Sequence, residues 1–110
     1  MKEADLQRQV IDLARLYGWR CAHFRSARQL RQDGSTYYST PVQADGAGWP
    51  DLILCRPPRL IAAELKVGRN KVTAEQREWL KAFARCDVEI CVWRPEDWDE
   101  VERTLRREEA

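Results

Sequence analysis

The sequence has little of what membrane, secreted and zinc-binding proteins need. No apolar run approaches the length that spans a membrane, and the opening Met-Lys-Glu-Ala-Asp does not resemble a signal peptide, so we expect a cytoplasmic protein. The four cysteines include no Cys-x-x-Cys pair, which argues against a zinc site, and three of them lie in apolar, strand-like runs. We therefore expect reduced cysteines that are buried in the core.

Excess charge is also lacking, because the formal net charge is only +1 and does not by itself indicate a nucleic-acid partner. The distribution is uneven, since residues 20–31 carry four arginines and no acidic residue, whereas residues 96–102 carry five acidic residues. This asymmetry fits a basic binding face and an ordinary solvated surface equally well. A chain of 110 residues with 34% charged and 44% apolar residues predicts one globular domain, residues 1–110.

Hydrophobic periodicity predicts seven elements in the order helix, three strands, helix, strand, helix. Their expected ranges are 3–17, 19–25, 51–55, 60–66, 73–85, 88–93 and 95–107. The second and third strands are joined by a short Pro-Pro turn and read as an antiparallel hairpin, whereas the strand pair that flanks the second helix should be parallel. The expected fold class is therefore α/β (α+β), with a mixed sheet flanked by helices.

Three charged residues lie at the ends of the two apolar runs that form the predicted hairpin. Asp51 opens the first run, and Glu64 and Lys66 close the second, so the hairpin brings all three to one end. Charges in buried strands need a partner or a metal ion. Carboxylate oxygens suit Mg²⁺ or Mn²⁺, and a lysine beside them can orient water or stabilise developing negative charge, which together suit phosphodiester hydrolysis. The alternative is a structural ion pair.

Residues 26–48 form the longest stretch without periodicity, and we expect an irregular loop there. The stretch combines Arg28 and Arg31 with two tyrosines, a composition that suits contacts with nucleic-acid backbone and bases. The alternative is a disordered insertion. At the end of the stretch, Gly46 and Gly48 allow a tight turn, or a close approach to a ligand, just before Asp51.

Other candidate contacts to nucleic acid flank the predicted hairpin. His23 is the only histidine and precedes Arg25, so it is either a phosphate contact or a hydrogen-bonded structural residue. The polar loop after Lys66 contains Arg69 and Lys71, which could contact the same ligand.

Two further polar residues have both a structural and a functional interpretation. Glu3 lies in the first turn of the first helix, where it could complement the helix dipole or reach a metal ion at the strand ends. Thr73 and Gln76 match a capping box at the start of the second helix. The glutamine also precedes Leu80 by four residues, which places it on the buried face, where its amide could meet the Lys66 end of the strand. The two roles of Gln76 are compatible.

These residues together resemble the PD-(D/E)xK nuclease signature, and in detail its VRR-NUC branch. The resemblance rests on Gly-Trp-Pro-Asp-Leu at residues 48–52, which contains Asp51, on Ala-Glu-Leu-Lys at residues 63–66, and on Thr-Ala-Glu-Gln at residues 73–76. It covers nearly the whole chain, and the last motif ends at Gln76, which matches the family glutamine and is carried as a catalytic residue.

The resemblance implies a restriction-endonuclease-like αβββαβ core with the active site at one edge of the sheet. It implies that Asp51 and Glu64 bind the divalent ion together with the backbone carbonyl of Leu65, and that Lys66 assists catalysis. Glu3 occupies a place where related nucleases often have an acidic residue of the first helix, so the resemblance makes it a candidate for a further metal ligand.

Stand-alone domains of this branch resemble phage-type Holliday junction resolvases, which act as homodimers. The resemblance therefore implies a structure-selective DNA endonuclease, acting in the host cytoplasm if it is phage-encoded, with branched DNA as substrate. One alternative is a nickase or flap nuclease of replication or repair. Another is a catalytically inert nucleic-acid-binding module, although an inert copy typically loses one of Asp51, Glu64 and Lys66, and this chain keeps all three.

Overall fold

The computed structural model describes residues 1–24, 27–39 and 42–108. The elements are α1 (Glu3–Leu16), β1 (Arg20–His23), β2 (Ala27–Leu30), β3 (Thr36–Ser39), β4 (Leu52–Arg56), β5 (Arg59–Leu65), α2 (Ala74–Ala84), β6 (Glu89–Trp93), a 3₁₀ turn (Pro95–Asp97) and α3 (Trp98–Arg106). In this part of the chain, no helix combines the length and apolar character needed to cross a membrane.

A four-stranded mixed sheet, in the order β1-β4-β5-β6, organises the fold. β4 pairs antiparallel with both neighbours, and in the hairpin Leu52 lies opposite Ala63. β5 and β6 are parallel because α2 connects them. The α+β class, the mixed sheet, the hairpin and the parallel crossover are thereby confirmed.

One face of the sheet carries the core, which α1 and α3 cover. In α1, Leu6, Val10 and Ala14 recur at intervals of four and are fully buried, and the chain leaves the helix at Gly18 with φ of 86°. Alternate residues of β4 and β5 face these helices, as the pleat requires. The remaining buried members of the cluster are Trp19, Leu52, Leu54, Ile61, Ala63, Leu65, Trp93, Val101 and Leu105.

The predicted irregular loop 26–48 is wrong for residues 27–39, where β2 and β3 form an antiparallel hairpin, and is confirmed for residues 42–48, which contain no helix or strand. The turn is closed by Arg31 and Ser35, whose backbones are joined by a 2.8 Å hydrogen bond. Gly34 takes a φ of 89°, and the Asp33 carboxylate accepts from the Ser35 N–H at 2.9 Å. Asp-Gly is a strong turn signal in a hairpin, and here it outweighs the weak strand periodicity around it.

The cysteines divide by position. Cys21, Cys55 and Cys91 are half-buried in strands, whereas Cys86 follows α2 and is exposed, so the prediction of core cysteines is wrong for Cys86. Burial raises the pKa of the Cys91 thiol to about 12, which keeps it protonated.

At the Arg59 end of β5, every member of a group of three charged residues has a hydrogen-bond partner. We call these residues, Arg56, Arg59 and Glu89, the arginine cluster. The Arg59 guanidinium is 2% exposed and donates twice to the Glu89 carboxylate, at 2.7 Å each. Both arginines lie over the Trp19 ring, 4.7 and 4.9 Å from its centroid.

The same two arginines also bind the carboxyl end of α3. Arg59 donates to the Thr104 carbonyl at 2.9 Å, and Arg56 donates to the Leu105 carbonyl at 3.0 Å. Since the last carbonyls of a helix lack partners within the helix, these bonds satisfy them and fix α3 to the sheet.

Candidate active site

Asp51 and Glu64 are held side by side by reciprocal bonds to each other's strand. The Glu64 Oε1 atom accepts from the Asp51 backbone N–H at 2.9 Å, and the Asp51 Oδ2 atom accepts from the Leu65 N–H at 2.8 Å. The structure therefore confirms the predicted convergence of the start of β4 with the end of β5, and it fixes both carboxylates through the backbone.

Glu64 is fully buried, and its Oε2 atom has no hydrogen-bond partner among the described residues. Burial, followed by the neighbouring charge of Asp51, raises the pKa of Glu64 to about 8. A buried carboxylate with an unpartnered oxygen beside a second carboxylate is costly unless a proton or a cation neutralises the pair. A contribution to the stability of the fold therefore does not explain why the Asp51 and Glu64 carboxyls lie side by side.

The other two predicted charges surround this pair. Burial raises the pKa of Asp51, with the Leu65 N–H and the Lys66 charge opposing the rise. Burial, followed by the charge of Asp51, also raises the pKa of Glu3, which shows that the first turn of α1 faces the pair. Lys66 is 8% exposed and continues β5 through a 3.0 Å bond from its N–H to the Trp93 carbonyl. All three carboxyls are within reach of its charge.

The Leu65 carbonyl has a sequence-encoded reason to lack a partner in the sheet. Continuing the β4–β5 register by two residues places Pro50 opposite Leu65. Because proline has no N–H, that position cannot donate to the carbonyl. β4 therefore offers this carbonyl no backbone donor at the paired position, which is compatible with its predicted role as a ligand.

Gln76 has the capping role that the sequence predicts. Its side-chain oxygen accepts from the Thr73 N–H at 2.9 Å, and its own N–H donates to the Thr73 hydroxyl at 3.2 Å. The side chain is half-buried and, within the described residues, makes no hydrogen bond to Asp51, Glu64 or Lys66. Its proposed catalytic role therefore stays a prediction.

The predicted nucleic-acid contacts lie in three places. His23 is exposed at the end of β1, whose next residue, Phe24, donates to the Asp51 carbonyl at 2.9 Å. Arg31 is exposed in the β2–β3 turn, and Arg69 and Lys71 are exposed in the loop after Lys66. Of the rest, Arg28 lies in β2, and Arg25 lies outside the described residues.

Sequence reasoning missed the residue that anchors the basic loop 67–72. Arg94 directly follows β6 and donates to the carbonyls of Gly68 at 3.1 Å and Asn70 at 2.6 Å. No local signal could have indicated this contact, because the partners are separated by 26 and 24 positions and the acceptors are backbone atoms. Arg94 holds the loop that carries Arg69 and Lys71 close to the end of β5.

Comparison with protein-family models, with curated proteins and with solved structures gave no match. What the site can do therefore has to be argued from its own geometry and chemistry.

The donor atoms present fit a hard divalent cation. Asp51 and Glu64 supply carboxylate oxygens, one of them an unpartnered buried atom, and the Leu65 carbonyl is adjacent. Among the described residues, no group of three or more His, Cys, Asp and Glu side chains is arranged to hold a metal ion. Glu3 therefore faces the pair without completing a three-carboxylate cluster, and its role as a ligand stays a prediction.

Proposed function

We propose that this protein is a divalent-metal-dependent nuclease that hydrolyses phosphodiester bonds in DNA. The observation that carries the proposal is the fully buried Glu64 beside the half-buried Asp51, with an oxygen of Glu64 that has no hydrogen-bond partner in the described chain. Two adjacent carboxyls, one of them fully buried, are costly to ionise unless a cation neutralises them, and such groups cluster at functional sites. The restriction-endonuclease-like core that the sequence resemblance implies is part of the same proposal, and the four-stranded mixed sheet is compatible with it.

Mg²⁺ or Mn²⁺ would be held by Asp51, Glu64 and the Leu65 carbonyl, with Glu3 as a further candidate. Such an ion, when bound, polarises a phosphate oxygen and lowers the pKa of a coordinated water. A Mg²⁺ site needs only a few protein ligands, because the ion keeps several waters and shares its coordination with substrate phosphates. The lack of a third clustered carboxylate among the described residues is therefore compatible with such a site.

In this proposal Lys66 acts on the reacting groups. Its side chain lies at the end of β5, next to the carboxylate pair, and its charge lowers the pKa of each neighbouring carboxyl. An ammonium group at this position can orient the attacking water and stabilise the negative charge that develops on phosphate.

Basic residues in the loop after Lys66 and in the turn of the β2–β3 hairpin support DNA as the substrate. Arg69 and Lys71 extend from the loop that follows Lys66, and Arg31 is presented at the tip of the β2–β3 hairpin. Phosphate contacts of this kind position a backbone without reading bases, so we propose selectivity for DNA shape. Branched DNA such as a four-way junction, cut by a homodimer, is the preferred version of the proposal. A nickase or flap nuclease remains the alternative within the same chemistry.

The test is a cleavage assay with Mg²⁺ or Mn²⁺ on four-way junction, flap, duplex and single-stranded DNA. Glu64→Gln is the control, because it keeps the shape of the side chain and removes its charge. Paired symmetric cuts on the junction, absent in Glu64→Gln, are the expected result. Cuts on another form would retain the nuclease and change the substrate.

A catalytically inert nucleic-acid-binding module is the second candidate. It is favoured by the lack of a three-carboxylate group among the described residues. Binding of all DNA forms without cleavage, together with no Mn²⁺ binding by calorimetry, would select this candidate over the nuclease.

A further inference from the structure

The segment that leads into Asp51 is attached to α2 by one indole group. Trp79 lies in α2, and its Nε1–H is directed at two backbone carbonyls, that of Asp45 at 3.1 Å and that of Ala47 at 3.0 Å. A backbone carbonyl outside regular structure needs a donor from elsewhere. Trp79 supplies that donor to two residues of one short segment.

Aromatic rings hold the same segment at its next residues. The Trp49 ring packs edge-to-face against Trp79, with centroids 4.9 Å apart and planes at 77°, and against Phe83 at 5.5 Å and 69°. Phe24, which follows β1, closes the third side at 5.6 Å and 77°. These are favoured aromatic geometries, so Trp49 is enclosed by rings from α2 and from the end of β1.

Gly48 brings the backbone of the segment against the first turn of α2. A Cβ atom added there would lie 2.4 Å from the Glu75 carbonyl carbon and 2.6 Å from the Gln76 nitrogen, and φ is 82°. Only glycine fits both requirements. The sequence predicts a tight turn or a close approach to a ligand at Gly48, and the neighbour that Gly48 meets in the structure is the α2 backbone.

The path from these contacts to the carboxylate pair is short and stiff. Pro50 follows Trp49, is fully buried and has a ring-fixed φ. Asp51 comes next: its backbone N–H donates to the Glu64 carboxylate, and its own carboxylate accepts from the Leu65 N–H. A shift of the segment along α2 would therefore be transmitted to both bonds that hold the pair.

We propose that Trp79 is a positioning residue that sets the place of Asp51 by fixing the segment of residues 45–49 against α2. The expected effect on metal binding rests on the proposed function. The expected effect on the position of the Asp51 carboxylate does not. Trp79 has no contact with the reacting atoms and acts through Trp49 and Pro50.

The test replaces the indole N–H and leaves the ring. In Trp79→Phe, or with the benzothienyl isostere of tryptophan at position 79, the two carbonyls lose their donor. Because the Leu65 amide donates to Asp51, its hydrogen exchange reports the position of the carboxylate without metal or DNA. We expect that exchange to become at least about tenfold faster relative to amides in the middle of β5, and the Mn²⁺ dissociation constant from calorimetry to rise by a similar factor.

The matched control is Trp98→Phe, which removes an indole at the edge of the core in α3. It should leave both the Leu65 amide and Mn²⁺ binding as in the wild type. A lower melting temperature in Trp79→Phe with an unchanged Leu65 amide would show a purely structural role and overturn the proposal. So would an isostere variant with wild-type exchange, and the isostere keeps the test decisive if Trp79→Phe does not fold.

The two proposals fail in different ways. If the wild-type protein binds no Mn²⁺ and cleaves no DNA, the proposed function fails, while the Leu65 amide still decides whether Trp79 positions Asp51. If the wild type binds Mn²⁺ and the Trp79 variants bind it equally well with normal exchange, only the positioning role fails.

Discussion

Two glutamates on neighbouring strands have opposite environments. Glu89 opens β6 beside Arg59, which donates to it twice, and this bonding lowers the pKa of Glu89. Glu64, near the end of β5, faces Asp51 with an unpartnered oxygen in the described chain, and burial raises its pKa to about 8. Five residues of one strand, about 16 Å, separate Arg59 from Glu64. One end of the sheet pairs its charges fully, whereas the other leaves a buried carboxylate oxygen without a partner among the described residues.

The strongest test of this contrast is the activity of Glu64→Gln. If the pair binds the metal ion, losing one charged ligand should lower cleavage by about 1,000-fold or more, since the ion supplies several kcal/mol of transition-state stabilisation. Cleavage rates on the preferred DNA form measure the effect, with circular dichroism to check the fold. Activity near that of the wild type would remove the site assignment.

The cations at the two ends of β5, Arg59 at its start and Lys66 directly after its end, should differ in the same way: Lys66 should act on turnover, and Arg59 on stability. Lys66→Ala should lower turnover by about 100-fold, because it removes one group that stabilises developing charge, with little change in Mn²⁺ affinity. Single-turnover kinetics and calorimetry separate the two quantities. A collapse of Mn²⁺ binding would instead give Lys66 a role in building the carboxylate pair.

At the other end, Glu89→Gln should act on stability alone. It leaves the buried Arg59 guanidinium without its charged partner, and we expect a loss of about 2–3 kcal/mol in the free energy of unfolding, measured with urea. Glu102→Gln is the matched control, since its exposed pair with Arg106 at 3.5 Å should contribute less than about 1 kcal/mol. Equal losses in both variants would contradict the special role of the arginine cluster.

The contrast between the two glutamates should also appear in the pH dependence of stability. The folded pKa of Glu64, about 8, lies above its ordinary 4.5, so its contribution is fully present below pH 4.5 and is lost as pH rises through 8. The raised pKa values of Asp51 and Glu3 act in the same direction. Glu89 acts oppositely, because its lowered pKa gives stability that is lost as pH falls below its ordinary value of 4.5.

The urea midpoint of the metal-free protein should therefore fall between pH 5 and pH 9. Most of that slope should disappear in Glu64→Gln and persist in Glu89→Gln. A flat profile in the wild type would show that the Glu64 carboxyl is not desolvated in solution.

What could be predicted from the sequence was local. The spacing of Leu6, Val10 and Ala14 predicts α1, and Thr73 with Gln76 predicts the start of α2; both are confirmed. The meeting of Asp51 with Glu64 was predictable because one tight turn joins their strands.

The rest depends on contacts between distant parts of the chain. The bonds from Arg59 to Glu89 and from Trp79 to Asp45 span 30 and 34 positions, and the second ends on a carbonyl that every residue has. No pattern in a single sequence marks such an acceptor. The β2–β3 hairpin is a different case, since the sequence itself contains its turn signal, Asp33-Gly34.

The β2–β3 hairpin lies between two strands that do not need it for their alignment. Arg20 pairs with Cys55 and His23 with Leu52 in the main sheet. The chain therefore leaves the main sheet after His23 and re-enters it at Leu52, the residue with which His23 pairs. Doubling the length of such a connection costs only about 0.6 kcal/mol of closure entropy. The length and charge of this hairpin can therefore change with little effect on the pairing of β1 with β4.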